Sequence, residues 1–315
     1  GRLMKEAVSN WYFKHHSIVL QVLKYRQREG WTHRDALRKA HPYSEDMTSL
    51  QKSLFEAICR PDGWVNVQHP LAEGFVAVQK AKNAADAAAI IKERKLPREF
   101  VPTEFLNTPE VWEALLPGMP INALLRNLGN LSKHGLLGTF SDNEEIVVGK
   151  MRDPITLAKA KVHPFSVLVT KAVYGRGRGL RGSGTWRKNQ AIDRALGELF
   201  YESFNYLEPT GKRHLIAIDV SGSMSWGSHE IISNAEAAAA MAMATVRTED
   251  RTHVMGFAHN FVDLGITRDD SLEAVMRKTR DMNFGPTDVT VAIRWATVNQ
   301  VPLDALVVYS DGESW

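Results

Sequence analysis

The sequence predicts a helical module followed by a doubly wound α/β domain, and three observations carry that reading. Residues 1–211 place apolar side chains at helical spacing with few strand-like alternations. Beyond Gly211, short apolar runs bounded by turn residues alternate with helical stretches, as in an open parallel sheet covered by helices. The charge divides at the same place. Residues 1–211 hold 30 Lys and Arg against 22 Asp and Glu, whereas residues 212–315 hold 9 against 14, giving net charges of +8 and −5. The predicted domains are therefore 1–211 and 212–315.

In the first of these, helices are expected over residues 7–25, 34–40, 47–58, 81–95, 108–116, 121–131 and 155–161. Thr32, the Thr108-Pro109-Glu110 run and Asp153-Pro154 stand where helix N-termini need a side-chain acceptor or a preset φ. Gly30, Gly63, Gly118 and Gly135 follow helical stretches as C-terminal caps would, and Pro42, Pro61, Pro97 and Pro117 interrupt continuation. There is no exact internal repeat, although stacked helical pairs of a solenoid would leave only this punctuation. In the second domain, His214-Leu-Ile-Ala-Ile-Asp219-Val reads as a buried parallel strand. An alanine-rich helix over 233–246 follows, then a strand at 252–258, helices at 271–280 and 288–299, and a strand at 305–310.

With 44% hydrophobic and 24% charged residues in 315, the chain is folded and water-soluble rather than disordered or fibrous. Cys59 is the single cysteine, which excludes an internal disulfide and a thiolate metal site and favours a reducing compartment, the cytoplasm. No apolar run approaches the roughly 20 residues a membrane span needs. The start at Gly1 and the stop at Trp315, just after a strand-like run, read as two cut ends. The basic excess is concentrated: residues 1–40 carry nine basic and three acidic side chains, and residues 171–188 carry six basic and none acidic. A polyanion is the partner such clusters fit.

The strand ending at Asp219 runs into Asp219-Val-Ser221-Gly-Ser223, a D-x-S-x-S arrangement at a strand C-terminus, where open α/β sheets bind ligands. One carboxylate and two hydroxyls on a tight loop supply hard oxygen ligands, and Gly222 lets the backbone turn. The loop through Gly285, Pro286, Thr287 and Asp288, and Asp311 after the last strand, supply further oxygens. The set Asp219, Ser221, Ser223, Thr287 and Asp311 resembles the metal-ion-dependent adhesion site of von Willebrand factor A domains. That resemblance implies a divalent cation, Mg²⁺ first, held by Ser221, Ser223 and Thr287 directly or through water, with the aspartates largely behind them. It also implies an open coordination position for a partner's carboxylate.

The wider chain resembles the Ro ribonucleoproteins, which join a helical TROVE module to a von Willebrand A domain. The matching strings run through Asn10-Trp-Tyr, Leu23-Lys-Tyr-Arg, Gly30-Trp-Thr-His33-Arg, Val111-Trp112-Glu-Ala-Leu, Met119-Pro-Ile-Asn-Ala-Leu-Leu-Arg126-Asn-Leu-Gly129, His163-Pro164-Phe165, Gly179-Leu-Arg181-Gly182 and Glu208-Pro-Thr-Gly-Lys-Arg213. The resemblance implies HEAT-like helical repeats forming a ring and a monomeric protein binding small noncoding Y RNA on a basic outer surface. It further implies capture of misfolded RNA through a single-stranded 3′ end, in RNA quality control and processing, with a 3′ exonuclease as a possible protein partner. Relative to that family, the chain lacks the start of the helical module and the last part of the A domain. Carried over residue by residue, the RNA-facing region is 24–39, with Lys24, Arg26, Arg28, His33, Arg34 and Arg38 as contacts, His33 in the position of an RNA-contacting histidine. These cations are expected on one helical face that exchanges condensed counterions for phosphate contacts.

The run from Tyr174 to Lys188 mixes arginine, glycine and aromatics as flexible nucleic-acid-binding loops do, and Arg176, Arg178, Arg181, Arg187 and Lys188 are its candidate contacts. Its G-x-G-x-x-G match, Gly177 to Gly182, is not a dinucleotide fingerprint, because it lies within the helical half rather than between a strand and a helix. The 11 histidines contain no H-E-x-x-H, and Trp112 and Trp295 sit on amphipathic helices as core residues, while Trp226 beside the metal loop suits a partner contact. A metal-dependent hydrolase is disfavoured, since the hydroxyl-rich site has neither a general base nor an activated nucleophile. The expectation is a noncatalytic RNA-binding protein; the alternative is a metal-dependent adhesion module without an RNA role.

Overall fold

The computed structural model describes the chain except residues 181–183, 226–230, 259, 281–286 and 313–315. By packing, the chain forms two compact units, Gly1–Pro120 with His134–Leu136, and Ile121–Lys133 with Leu137–Trp315. The change from helices to alternating strands and helices falls at His214, inside the second unit.

The first unit holds α1 (Arg2–Lys14), α2 (Ile18–Lys24), a β1–β2 hairpin (Gln27–Arg28 and Trp31–Thr32), α3 (His33–Ala40), α4 (Ser49–Cys59), α5 (Pro70–Gln79), α6 (Ala84–Arg94) and α7 (Pro109–Leu115). The helix expected over 7–25 is two helices. α1 stops where His15 turns extended, and the His15 imidazole accepts from Ser17 N–H at 3.1 Å, which closes the corner. Gly30 is not a helix cap either. It takes φ +77° beside Glu29 at φ +50°, the two left-handed residues a tight hairpin turn requires. Thr32 does cap α3, in a full capping box with Asp35. Several helices end on left-handed residues that are not glycine, His41, Lys95 and Lys161, which no glycine count would reveal. The core gathers Tyr12, Leu23, Leu54, Ile91, Phe100 and Trp112, all close to fully buried.

The second unit opens with α8 (Ile121–Lys133), α9 (Asp142–Arg152), α10 (Pro154–Ala160), α11 (Pro164–Gly175) and α12 (Gln190–Glu202). It continues with β3 (His214–Asp219), α13 (Asn234–Thr248), β4 (Thr252–Phe257), β5 (Phe261–Asp263), α14 (Leu272–Arg280), α15 (Thr290–Val298) and β6 (Ala305–Tyr309). The sheet order is β5-β4-β3-β6, with β3 parallel to both β4 and β6. The short β5, absent from the sequence reading, runs antiparallel on the edge and makes the sheet mixed. β3 is buried along its whole length, which is why its six residues show no polar alternation. α13 buries mostly alanines, whose small side chains let the helix approach the strand beneath it.

Candidate functional site: a hydroxyl-rich loop cluster and two cationic surfaces

The parallel register sets the first site. His214 pairs with Thr252 on one side and with Ala305 on the other, so β4, β3 and β6 end at one edge of the sheet. Asp219 is the last residue of β3 and is 1% exposed. Its carboxylate accepts the backbone N–H of Ser221 at 2.9 Å and the hydroxyl of Ser310, just past β6, at 3.0 Å. The third loop reaches the same edge through backbone: Asp288 N–H donates to the carbonyl of Ala258, just past β4, at 3.0 Å. Thr287, the residue before it, is buried to 6% exposure. Asp219, Ser221, Ser223, Thr287 and Asp311 therefore stand on three loops at one sheet edge. Gly285, Pro286 and Trp226 lie outside the described residues.

The donor set fits a small hard cation. Ser221 Oγ and Ser223 Oγ share a hydrogen bond at 3.0 Å, a separation that is also about that of adjacent oxygens in an octahedron with Mg²⁺ distances of about 2.1 Å. Beside them Asp219 is a nearly inaccessible carboxylate that accepts two hydrogen bonds and has no cationic partner among the described residues. Ser310 is the residue the sequence reading missed. Its only sequence signal is its place at the end of a strand, one residue before Asp311. Asp288 has a structural task at the start of α15, accepting from Thr290 N–H at 2.8 Å and from the Thr290 hydroxyl at 2.6 Å, and from Arg294 in the middle of the helix.

The cations of 24–39 do not share one helical face; they are spread over the end of α2, the hairpin and α3. Arg28 lies exposed on β1, and Arg34 and Arg38 stand exposed one turn apart on α3. Lys24 is half-buried with its ammonium over the Tyr25 ring, 5.6 Å from the centroid. Arg26 folds across the Phe75 ring at 5.2 Å. His33 is held by protein groups. Its Nδ1 lies 2.7 Å from the Tyr12 hydroxyl, and Trp11 stacks parallel to its ring at 5.8 Å. Burial lowers the His33 pKa, with a backbone hydrogen bond to Tyr25 opposing.

That environment has a testable sign. The folded protein resists protonating His33 while the unfolded chain takes up a proton near the ordinary value of about 6.5. This contribution to stability is therefore complete above that pH and is lost as pH falls below it. Denaturant midpoints measured from pH 7.5 downward are expected to drop below about pH 6.5. A His33→Gln variant, which keeps an acceptor near Tyr12 but does not titrate there, should show a shallower drop. Identical pH profiles for the two proteins would contradict the assignment.

The glycine- and arginine-rich stretch is anchored on both described sides. Trp186 N–H donates to Gly177 O at 2.8 Å, Gly179 N–H donates to Gly184 O at 3.3 Å, and Arg178 bridges Thr185. Trp186 lies against α8 at Gly129, where an added Cβ would come within 2.8 Å of the indole, and its ring N–H donates to Tyr174 O at 3.0 Å. Arg178 and Arg187 are exposed. Arg176 is half-buried, and Lys188 pairs with Asp193 at 3.4 Å. Arg181 lies outside the described residues.

A helical module running into an A-type α/β domain with a D-x-S-x-S loop at its sheet edge defines a two-part class of protein. The chain belongs to the TROVE-domain Ro family: the TROVE domain model matches residues 69–247 and the Ro60 vWA domain model matches residues 213–315. It is 38% identical over 327 residues to the RNA-binding protein RO60 of Deinococcus radiodurans, covering all of this chain and 60% of that protein. It is 33% identical over 365 residues to the RNA-binding protein RO60 of Caenorhabditis elegans, covering all of this chain and 56% of that one. The crystal structure of the Deinococcus radiodurans RO (RSR) protein superposes with a TM-score of 0.83 at 38% identity, over all of this chain and 64% of that one. The chain thus spans between half and two thirds of the length of these relatives. The basic segment 24–39 precedes the TROVE match and falls within the alignments to the longer relatives. Among the described residues, no helix is long and apolar enough to cross a membrane.

Proposed function

We propose that this chain binds RNA without catalysing its cleavage, and that its A-type domain holds a divalent cation, Mg²⁺ first, for a separate protein contact. The observation that carries the RNA reading is the exposed trio Arg28, Arg34 and Arg38 on β1 and α3, in a chain whose relatives are named as RNA-binding. Guanidinium groups displayed in this way neutralise phosphates and release counterions, with affinity that depends on salt more than on sequence. The finer reading is a small structured noncoding RNA of the Y type, or a misfolded RNA offering a single-stranded 3′ end, bound by a monomer in the cytoplasm. Arg178 and Arg187 on the anchored loop are the second contact surface. The test compares a labelled small structured RNA with and without a single-stranded 3′ tail at fixed low salt. The tailed RNA is expected to bind more tightly, and equal affinity would remove the 3′-end part of the reading.

At the sheet edge, Ser221, Ser223 and Thr287 would supply hydroxyl oxygens to the cation, and Asp219 and Asp311 the negative charge behind them. When bound, the ion offers a Lewis-acidic position to a carboxylate, such as that of a 3′ exonuclease or another protein partner. Asp219 meanwhile holds the loop by accepting from Ser221 N–H and from Ser310. Isothermal titration with Mg²⁺, or luminescence titration with Tb³⁺ in its place, is expected to give one site that Ser221→Ala or Thr287→Ala weakens at least tenfold. RNA affinity is expected to be unchanged in those variants. A site of unaltered affinity in both would contradict the assignment of ligands.

A further inference from the structure

The first unit contains a cleft of about 730 Å³. That size lies in the range of small-ligand sites, roughly 300–1,000 Å³. Its interior is apolar, formed by Val22 of α2, Ala57 and Ile58 of α4, and Phe75 and Val76 of α5. The half-buried Trp64 stands edge-on to Phe75 with ring centroids 5.7 Å apart. Arg26, Arg34 and Lys80 also line it, against one carboxylate, Asp62. Two polar side chains lining it keep hydrogen-bonding capacity among the described residues. The Trp64 ring N–H makes no hydrogen bond there, and Gln79, whose amide N–H₂ donates to Phe100 O at 2.8 Å, has its side-chain oxygen left to accept.

An apolar slot with an aromatic wall, lined by a donor, an acceptor and three cations, matches one chemistry, a planar heterocycle carrying a phosphate. The geometry points to an unpaired nucleotide as the occupant, its base against Trp64 and the apolar interior and its phosphate between Arg26, Arg34 and Lys80. This rests on the RNA reading for its source, since Arg34 belongs both to the exposed trio and to the cleft. A paired base has its edge and faces committed to the duplex, so the cleft selects single-stranded over double-stranded RNA. An acidic peptide with an aromatic side chain would meet the same cations, but it would leave the Trp64 donor and the Gln79 acceptor without the paired edge a base presents.

Cys59 makes the test direct, because it is exposed, lines this cleft and is the chain's only cysteine. The rate of Cys59 alkylation by iodoacetamide is measured at low salt on the full chain. The additions are a nucleoside monophosphate, ribose 5-phosphate, a short unstructured RNA, a blunt RNA duplex of the same length, and an acidic aromatic peptide. The nucleoside monophosphate and the unstructured RNA are expected to slow alkylation at least fivefold at saturation, with little effect from the others. Chain blocked at Cys59 with N-ethylmaleimide, its circular dichroism unchanged, should bind the unstructured RNA about tenfold more weakly, on the scale of one lost base stack, and the duplex equally well. Lys80→Glu, a surface change outside the hairpin, should weaken protection by the monophosphate.

Unstructured RNA that binds while leaving the alkylation rate untouched would overturn the cleft assignment and leave the RNA reading standing. Protection by the monophosphate in a chain that binds neither RNA would support the nucleotide site with free nucleotide as its source, and would sink the RNA reading. Protection by the peptide but not by nucleotides would overturn the proposal.

Discussion

A chain carrying Arg28→Glu, Arg34→Glu and Arg38→Glu is expected to lose RNA affinity by at least a hundredfold at low salt while keeping its helical circular dichroism. The three guanidinium groups are exposed on β1 and α3, so their replacement opens no cavity and removes no buried hydrogen bond. Each phosphate contact adds about 0.9 to the slope of log affinity against log salt on duplex and about 0.7 on single strands. The variant's slope should therefore be shallower by roughly two to three units. Arg26 is the informative control. Its guanidinium lies over Phe75, so Arg26→Ala should alter local packing as well as charge, and its effect on affinity should not reduce to a change of slope. A triple variant with wild-type affinity and slope would move the RNA surface away from the hairpin and α3.

The largest effect on stability is expected from Trp112→Ala. The indole is 1% exposed, donates its ring N–H to Leu106 O at 2.8 Å, stacks on His134 with centroids 6.4 Å apart and carries the Arg98 guanidinium on its face at 5.7 Å. Truncating a buried tryptophan costs about 3–5 kcal/mol through lost transfer energy and the cavity left behind. Here the Leu106 carbonyl also loses its donor, which adds to that cost. Since domains are stable by roughly 5–15 kcal/mol in total, urea unfolding followed by circular dichroism should show an early transition that the wild type lacks. Trp112→Phe, which keeps most of the ring volume but not the N–H, should fall between the two. A Trp112→Ala midpoint equal to the wild type would mean that this side chain is not the packing centre its burial indicates.

The sequence made the fold class legible where physics leaves a periodic or compositional mark. The unbroken apolar run of β3, the alanines of α13 and the side-chain caps at Thr32 and Asp153 are such marks, and each is an element or a cap in the structure. Two-residue strands leave none, so the β1–β2 hairpin has the sequence of a basic helical face, although Glu29-Gly30 takes the two left-handed positions of its turn. The left-handed caps at His41, Lys95 and Lys161 were hidden because their side chains carry no turn preference. At the sheet edge, chain order alone linked Asp219, Ser221, Ser223, Thr287 and Asp311. The Ser310 hydroxyl on Asp219 and the Asp288 backbone on Ala258 needed the strand register before they could be found. His33 shows the limit in the other direction. In sequence it lies beside Arg34 in a cation-rich segment, whereas its neighbours in space are Tyr12 and Trp11, 21 and 22 residues earlier.

That burial separates His33 from the arginines around it. A phosphate-pairing histidine would strengthen RNA binding as pH fell through the ordinary imidazole range. A histidine whose pKa is lowered by burial, with its Nδ1 against the Tyr12 hydroxyl, contributes through the position of the hairpin instead. The two surfaces are likewise separable by chemistry, since phosphate pairing by arginine needs no ion, and cation binding by the Asp219 loop needs no arginine.

Fluorescence anisotropy of a labelled small structured RNA measures whether this chain binds RNA through its helical cations independently of the cation site proposed at Asp219. The titration is run over a series of salt concentrations with Mg²⁺ and again with a chelator. Log affinity is expected to fall linearly with log salt, with a slope of several units that is the same in both series. Absence of binding at low salt in a chain with intact circular dichroism, or binding abolished by the chelator, would contradict it.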